Sequence, residues 1–318
     1  MGIKCAFSFF VFLTTAISIA QTQPASPNQS QLTLTYLGTA GWQISNDKTI
    51  LLVDPYFTRA RGKASAPGMP GDDADTHDVR HLYAYDEPVP PDATAIDAHV
   101  SRADYILVTH AHIDHVMDVP YIAKKTHAQV IGNLNAINLM LANKIPENQL
   151  IMVKGGEDYE FGNFSVRVIP SLHSALNHKH YFDPDPIPPD VKLPLARSQY
   201  GEGGSLIYLI RISGYQLLVF GGNNFIEREL EGIRPDVVMA GPYGDEEIYD
   251  YTGRLMRVLG NPQLVLPTHW DNFWKTFDAP QNTASADKFL AKVRRVSPST
   301  KTMVPKYFEP IILPPKAQ

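Results

Sequence analysis

Cysteine is almost absent from this chain, since Cys5 is the one cysteine among 318 residues. A single thiol cannot form an intramolecular disulfide, a zinc knuckle or a Cys-x-x-Cys redox pair. An excess of one charge is missing too, because 28 basic and 33 acidic side chains leave a formal net charge of −5. We therefore expect no binding to nucleic acid and no non-specific attraction to an anionic membrane.

The longest apolar run lies at the N-terminus, where Lys4 precedes residues 6–19 and small residues follow. A run of about 14 residues is short for a hydrocarbon layer about 30 Å thick. The order of basic, apolar and small residues is typical of a signal peptide. We interpret residues 1–20 as that signal peptide and residues 21–31 as a flexible lead-in. An uncleaved N-terminal anchor is the alternative.

Cleavage after residue 20 would remove Cys5 together with the signal peptide. The mature chain would then be exported, to the periplasm or the medium, and would keep no stable membrane span. A chain without cysteine has to build any metal site from His, Asp, Glu or Asn. Its eleven histidines make such a site feasible.

The rest of the chain alternates between strand and helix patterns. Strands are predicted at 32–37, 42–44, 49–53, 105–108, 159–161, 164–169, 205–212, 215–220, 237–240, 264–266, 303–304 and 311–313. Helices are predicted at 133–143, 247–259 and 287–296. This strand-rich pattern predicts an α/β protein in which sheets pack face to face with helices outside.

Two breaks rich in proline interrupt the pattern, at about 59–99 and 174–200. No core strand fits the first break, so we interpret it as a long surface insertion or a lid. The second break is interpreted as a further insertion that shapes a pocket. The remaining chain, residues 32–315, is predicted to form one domain.

Four potential metal ligands directly follow the strand at 105–108: His110, His112, Asp114 and His115. Residues two apart in extended backbone point the same way, so His110 and His112 can face one cation. A loop that turns after them can direct Asp114 and His115 towards a second cation. Imidazole and carboxylate suit zinc, manganese or iron. Histidines of an ordinary surface loop are the alternative.

Two single histidines follow predicted strands in the same way. His173 comes after the strand at 164–169, and His269 comes after the strand at 264–266. Sites in α/β proteins commonly lie at the carboxyl ends of strands. Either histidine alone would suit an ordinary loop, but beside the first cluster both are predicted to join a shared metal site.

The pattern His-x-His-x-Asp-His, followed by two single histidines after strands, resembles the metallo-β-lactamase superfamily. The segments YLGTAG at 36–41 and LVDPY at 52–56 are similar to the branch of L-ascorbate-6-phosphate lactonase and N-acylphosphatidylethanolamine phospholipase D type enzymes. The resemblance covers about residues 32–315 and implies a four-layer αββα sandwich with a dinuclear site. It implies His110, His112 and His173 as ligands of the first metal, and Asp114, His115 and His269 as ligands of the second.

One position departs from the family pattern. The family carries an aspartate that bridges both metals, and the matching residue here is Asn223, or its neighbour Asn224. A neutral amide can coordinate through its oxygen but brings no charge to offset two divalent cations. Three interpretations follow: weak binding of the second metal, a site with one ion, or substitution by another carboxylate.

The chemistry expected of such a site is hydrolysis. A divalent metal lowers the pKa of bound water from 15.7 to roughly 7, which provides hydroxide at neutral pH. Asp114 is expected to orient that hydroxide as well as bind metal, so it is the candidate catalytic residue. The expected cofactor is one or two zinc ions, with manganese or iron as alternatives.

The leading hypothesis is an exported hydrolase of an ester or lactone bond in a small-molecule or lipid-like substrate. Phosphodiester cleavage of the phospholipase type and β-lactam hydrolysis are alternatives on the same site, because fold and metals do not settle the bond. A non-catalytic binding protein with a degraded site is the alternative from another class, and Asn223 motivates it. The sequence leaves the oligomeric state open.

Weaker predictions concern four residues around the ligands. Asp54 is a candidate partner that fixes a ligand imidazole, although a turn residue before proline explains it equally well. His178 and His180 are candidates for the pocket lining or for proton donors, with an exposed loop as the alternative. Trp270 could form an apolar pocket wall or pack in the core.

A separate acidic segment in the first break contains His77 and His81. These histidines, together with the neighbouring aspartates, could bind an extra cation. We favour a solvated acidic loop for this segment.

Overall fold

The structure is a computed structural model that describes residues 1–2, 30–65, 71–175 and 185–316. Residues 3–29, which hold most of the predicted signal peptide and lead-in, lie outside the described residues, and so do His178 and His180. Within the described ranges, no helix is long and apolar enough to cross a membrane.

The described chain folds into strands that alternate with short helices. The strands are β1 (Leu32–Gly38), β2 (Gly41–Ser45), β3 (Ile50–Val53), β4 (Arg61–Gly62), β5 (Leu82–Tyr83), β6 (Tyr105–Leu107), β7 (Gln129–Gly132), β8 (Leu150–Met152), β9 (Asp158–Glu160), β10 (Phe164–Pro170), β11 (Leu206–Ile212), β12 (Tyr215–Phe220), β13 (Val237–Ala240), β14 (Leu264–Pro267), β15 (Lys301–Thr302) and β16 (Pro310–Leu313).

The α-helices are α1 (Ala93–His99), α2 (Ile113–Val116), α3 (Val119–Thr126), α4 (Leu134–Ala142), α5 (Gly244–Glu247), α6 (Tyr251–Leu259) and α7 (Ala284–Val296). Short 3-10 helices lie at Glu147–Gln149, Arg197–Gln199 and Glu227–Leu230. The Asn133 side chain caps α4 by accepting a hydrogen bond from the Ala136 amide. This cap is the start signal that the sequence provides for that helix.

Two seven-stranded sheets form the centre of the fold. The first sheet has the order β16-β1-β2-β3-β6-β7-β8, and the second has the order β15-β14-β13-β12-β11-β10-β9. Strands β3, β6, β7 and β8 run parallel, as do β12, β13 and β14, while β10, β11 and β12 alternate in direction. The carboxyl ends of β10, β12 and β14 therefore lie at the same edge of the second sheet.

Three apolar cores separate four layers. The first lies between one face of the first sheet and α1, α3 and α4, and it includes Ile96 and Met140. The second lies between the two sheets and includes Trp42 and Tyr208. The third lies between the second sheet and α6 and α7, and it includes Phe289. Each sheet thus buries both faces, which confirms the predicted αββα sandwich.

Several predicted elements differ from those observed. The helix predicted at 247–259 begins later, as α6 at Tyr251, and residue 247 is instead the last residue of α5; Asp250, which adopts a left-handed φ of 43°, precedes α6. The strand predicted at 303–304 is absent, and β15 forms two residues earlier. The first break, predicted to be a surface insertion, contains the β4–β5 pair and α1, whose Ile96 is fully buried.

Candidate metal centre

His110, His112 and His173 form the first donor group, called here the three-histidine group. His110 lies just beyond β6, His112 is the N-cap residue of α2, and His173 lies just beyond β10. One nitrogen of each ring lies within 4.8 Å of the others. The ring centroids of His112 and His173 are 4.6 Å apart. The predicted first set of ligands is thus together at one point, although its members come from both sheets.

Asp114, His115 and His269 form the second donor group, called the Asp114 group. Asp114 and His115 lie on α2, while His269 follows β14. The Nε2 atom of His269 lies 3.0 Å from Oδ2 of Asp114, and Nε2 of His115 lies 3.6 Å from the same oxygen. The rings of His110 and His115 are 3.8 Å apart, so the two groups are adjacent.

Asp54 lies behind the Asp114 group, where it is fully buried. Its Oδ2 atom lies 2.8 Å from Nδ1 of His115, and its Oδ1 atom accepts a 2.8 Å hydrogen bond from the amide of Thr109. A carboxylate at this distance keeps the proton on Nδ1, which leaves Nε2 of His115 as the donor atom for a cation. The contact with a candidate ligand imidazole that the sequence predicted for Asp54 is therefore present, and Asp54 is also a bend residue before proline.

Asp271 holds the segment that carries His269, and sequence reasoning missed it. Its carboxylate accepts hydrogen bonds from the Tyr36 hydroxyl at 2.8 Å, the Thr39 amide at 2.9 Å and Arg59 Nη2 at 2.8 Å. The Tyr307 hydroxyl donates a fourth, at 2.8 Å. The one available signal was its position two residues after a predicted ligand.

Asn223, which matches the bridging aspartate of the family pattern in sequence, lines the same cavity as the three-histidine group. Its side chain is buried, and Oδ1 has no hydrogen-bond partner among the described residues. Two residues before it, position 221 requires glycine, because a Cβ there would lie 2.0 Å from the Thr109 hydroxyl oxygen. The neighbour Asn224 points elsewhere, since its Nδ2 donates to the His173 carbonyl at 3.0 Å. The geometry therefore favours Asn223 over Asn224 as the matching residue.

The protonation states suit cation binding. Burial and the nearby His115 hold the pKa of His110 well below its usual value. Burial and the nearby His112 lower the pKa of His173 to about 3. Burial opposes ionisation of Asp114, but His115 and His269 outweigh it and bring the pKa of that carboxyl below its usual range. Neutral imidazoles and an ionised carboxylate are the forms that ligate metals.

The pKa of His115 moves the other way. Burial disfavours its imidazolium, but the Asp114 and Asp54 carboxylates together outweigh burial and raise the pKa. A cation bound in the Asp114 group would replace the proton that these two carboxylates attract.

Orphaned polar atoms support a cation at this place. Nε2 of His110 is buried and has no hydrogen-bond partner within the described ranges, as is also true of Oδ1 of Asn223. A buried polar atom without a partner costs about 1–3 kcal/mol. Both atoms are of the kind that coordinates a divalent metal, so the donor set fits the predicted cofactor.

Both donor groups line a cavity of about 800 Å³. Aromatic side chains form much of its wall: Tyr85, Tyr200, Tyr243, Trp270, Phe273 and Trp274. Trp270 also packs in the core, with its ring 5.9 Å from that of Tyr36. Both interpretations of Trp270 therefore apply. The cavity is of a size that suits small-molecule ligands.

The acidic segment of the first break pairs with cations of the chain itself. Asp72 accepts a 2.6 Å hydrogen bond from Arg61 and a 2.8 Å contact from Lys275. His81 lies 2.6 Å from Glu87. His77 is not part of the Asp72–Asp75–Asp78 cluster of potential ligands. The alternative of an extra cation held by His77 and His81 gains no support from these contacts.

Comparison with known proteins places this arrangement in a family. The sequence profile described as Beta-lactamase superfamily domain matches residues 33–269. A UPF0173 metal-dependent hydrolase of Anaeromyxobacter dehalogenans is 22% identical over 274 residues, which cover 83% of this chain and 84% of that protein. Another, of Flavobacterium johnsoniae, is 40% identical over 85 residues, which cover 27% of this chain and 36% of that protein.

A solved structure shares the fold. Igni18, described as a novel metallo hydrolase from Ignicoccus hospitalis, is 18% identical, with a TM-score of 0.57 and coverage of 90% of this chain and 100% of that one. The family profile spans most of the chain, from β1 to His269. This chain therefore belongs to the beta-lactamase superfamily, and it is a metal-dependent hydrolase of the metallo-β-lactamase fold.

Proposed function

We propose that this protein is an exported hydrolase that cleaves an ester or lactone bond with the help of one or two zinc ions. One observation carries the proposal: six donor side chains from three separate segments converge at the wall of a single cavity of about 800 Å³. Five imidazoles and one carboxylate form a donor set that suits zinc.

The two donor groups and Asp54 would have different roles. The three-histidine group and the Asp114 group would each hold a cation, and Asp54 would orient His115 through its Nδ1 atom. A bound divalent metal supplies a Lewis acid and lowers the pKa of its water to near neutrality. Asp114, ionised in its buried setting, would accept a hydrogen bond from the attacking water and orient it.

The cavity wall supports an uncharged, partly apolar substrate. Among the described lining residues, Arg197 and Lys288 are the cationic ones besides histidine. The Arg197 guanidinium lies 4.6 Å from the Trp274 ring, and Nζ of Lys288 lies 2.8 Å from Glu246. Neither belongs to the donor groups. Apart from the proposed metal ions, the donor groups contain no lysine or arginine to neutralise the charge of a phosphodiester, so a neutral ester or lactone fits better.

A substrate panel tests the bond class. Metal-loaded protein would be assayed against an aryl ester, a γ-lactone, a diaryl phosphodiester and a chromogenic β-lactam, with His112→Ala as the control. We expect turnover of the ester or lactone that the His112→Ala variant lacks. Turnover of the phosphodiester or β-lactam alone would replace the proposed bond. No turnover of any substrate, with metal bound, would favour the non-catalytic alternative.

Export is tested separately, because it rests on the N-terminal sequence pattern. We expect the full chain, expressed in a bacterial host, to appear outside the cytoplasm with a mature N-terminus after residue 20. N-terminal sequencing of the fractionated protein checks this. An intact Met1 in the cytoplasmic fraction would contradict export.

A further inference from the structure

His269 begins a segment, residues 269–277, that we call the His269 loop. His269 adopts a left-handed φ of 53°, which is uncommon for a residue with a side chain. Such a conformation persists where the surroundings over-determine it. Its amide donates to the Thr39 carbonyl at 2.5 Å. The contacts of the His269 loop therefore fix the position of His269, a candidate metal ligand.

Arg59 is the most buried of these contacts. The residue is 1% exposed although it carries a full charge. Its Nη2 atom donates at 2.8 Å both to Asp271 Oδ2 and to the carbonyl of Asn272. Its Nε donates to the carbonyl of Lys275. One guanidinium therefore binds three points of the His269 loop in a fixed geometry.

Arg80 and Lys275 also connect the first insertion with the His269 loop. Arg80 donates through Nη2 to the carbonyl of Trp274 at 2.6 Å and through Nη1 to the carbonyl of Arg59 at 2.8 Å. Lys275 projects in the opposite direction, and its Nζ lies 2.8 Å from Asp72 and also contacts Asp75. Cations from each segment thus bind acceptors on the other.

Asp271 connects this set to His269 itself. Its carboxylate binds Arg59 on one side and the Thr39 amide on the other. Thr39 in turn accepts the His269 amide through its carbonyl. The chain of contacts from Arg59 through Asp271 and Thr39 therefore ends at the backbone of a residue whose Nε2 lies 3.0 Å from Asp114.

We propose that Arg59, Arg80 and Lys275 act as a clamp that positions His269 opposite Asp114, so that cation binding in the Asp114 group depends on the first insertion. These are positioning residues, because none of them belongs to either donor group. The inference rests on the proposed function insofar as the Asp114 group binds a cation. It gives residues 59–80 a role different from that of a lid.

The test uses the two clamp residues that are partly exposed, since Arg80 and Lys275 side chains are 32% and 18% exposed. The variants are Arg80→Met, Lys275→Met and their combination. Arg102→Met is the matched control, because Arg102 also donates to a carboxylate and to a carbonyl, but of Asp104 and Lys48. Thermal unfolding would first verify that each variant is folded.

Two measurements follow on the full chain. Hydrogen exchange of the metal-free protein should be faster in the His269 loop of the double clamp variant and unchanged in the control. Cobalt(II) titration, followed by absorbance, should show binding weakened by about tenfold, the lower range for residues that orient ligands. The affected equivalent should be the one that His269→Ala loses.

The outcomes separate the two proposals. Clamp variants that exchange and bind cobalt as the wild type does, while His269→Ala loses an equivalent, would overturn the clamp and leave the proposed site intact. A His269→Ala variant that binds cobalt as tightly as the wild type would overturn the assignment of the Asp114 group and with it the role of the clamp.

Discussion

The three-histidine group and the Asp114 group are adjacent, yet the protein holds them in different ways. Close backbone packing holds the first, since Gly221 allows the end of β12 to approach Thr109 and His110. Buried carboxylates hold the second, with Asp54 on His115 and Asp271 on the loop of His269. The first donor group thus depends mainly on close packing, since Asp54 reaches it only through Thr109, whereas buried carboxylates directly hold the residues of the second. Substitutions around them should therefore have different effects.

Loss of a ligand from the three-histidine group should have the largest effect. His112→Ala removes a candidate metal ligand from the N-cap position of α2, where the His112 side chain makes no capping hydrogen bond. We expect hydrolysis and about one equivalent of bound metal to be lost while the fold remains. Metal analysis, circular dichroism and turnover would be measured together. Unchanged turnover would refute the site assignment.

Substitution behind the Asp114 group should have a graded effect. Asp54→Asn keeps an acceptor for the Thr109 amide but loses the charge that fixes the His115 tautomer. We expect metal affinity to fall about 10- to 100-fold. Isothermal titration with zinc measures this.

The matched control is Asp236→Asn, because Asp236 also accepts a backbone amide, that of Gln216 at 2.8 Å, but lies before β13 and outside both donor groups. Equal metal affinities for the wild type and Asp54→Asn would show that the charge of Asp54 does not contribute to metal binding.

Addition of a carboxylate at Asn223, on the cavity wall that both donor groups share, should strengthen binding of a second metal. Asn223→Asp places a carboxylate where Oδ1 of Asn223 lacks a partner within the described chain. We expect tighter binding of a second metal and lower stability of the metal-free protein, because the new buried charge would be uncompensated. Asn224→Asp is the control. Identical metal stoichiometry and affinity for Asn223→Asp would contradict the bridging position.

The smallest effect on metal binding is expected for Asp118, which belongs to neither donor group and instead influences the pH dependence of stability near α2. Burial raises the pKa of Asp118 to about 6, although it accepts hydrogen bonds from the amides of Phe57 and Thr58. The folded state therefore binds this proton more tightly than the unfolded chain, whose pKa is about 3.9. The contribution of Asp118 to stability is present at pH 4 and lost as the pH rises to about 6.

Comparison with Asp118→Asn isolates that contribution. The free energy of unfolding of the wild type, relative to the variant, should fall by roughly 2 kcal/mol between pH 4 and pH 7. Urea unfolding of the metal-free proteins at several pH values measures it. A difference that does not vary with pH would contradict the raised pKa.

The strand-end rule explains how much of the site was predictable. His110, His173 and His269 each follow a strand, and parallel strands present their carboxyl ends at one edge. The αββα layers were predictable for a related reason, because buried strands and amphipathic helices have distinct apolar patterns. The helix α2 escaped prediction because its four residues are too few to show a period.

Of the buried carboxylates that hold the second donor group, Asp54 was predicted as a partner of a ligand imidazole, but the contacts of Asp271 were not, because they join distant segments. Arg59 and Asp271 are 212 residues apart in sequence, and each resembles an ordinary charged loop residue until the fold brings them together. Asp250 shows the same limit at the local level, since helical spacing over 247–259 gave no sign of its left-handed backbone. The spacing of apolar residues predicts which side chains share a face of a helix or strand, but it does not predict which loops come into contact.

The metal content of the purified wild-type chain tests the two-group site most directly. Protein loaded with zinc and then dialysed would be analysed by mass spectrometry for bound metal, together with the His112→Ala and His269→Ala variants. We expect at least about one equivalent in the wild type and less in each variant. Less than about half an equivalent in the wild type, with no hydrolysis across the substrate panel, would contradict a metal-dependent site built from these six residues.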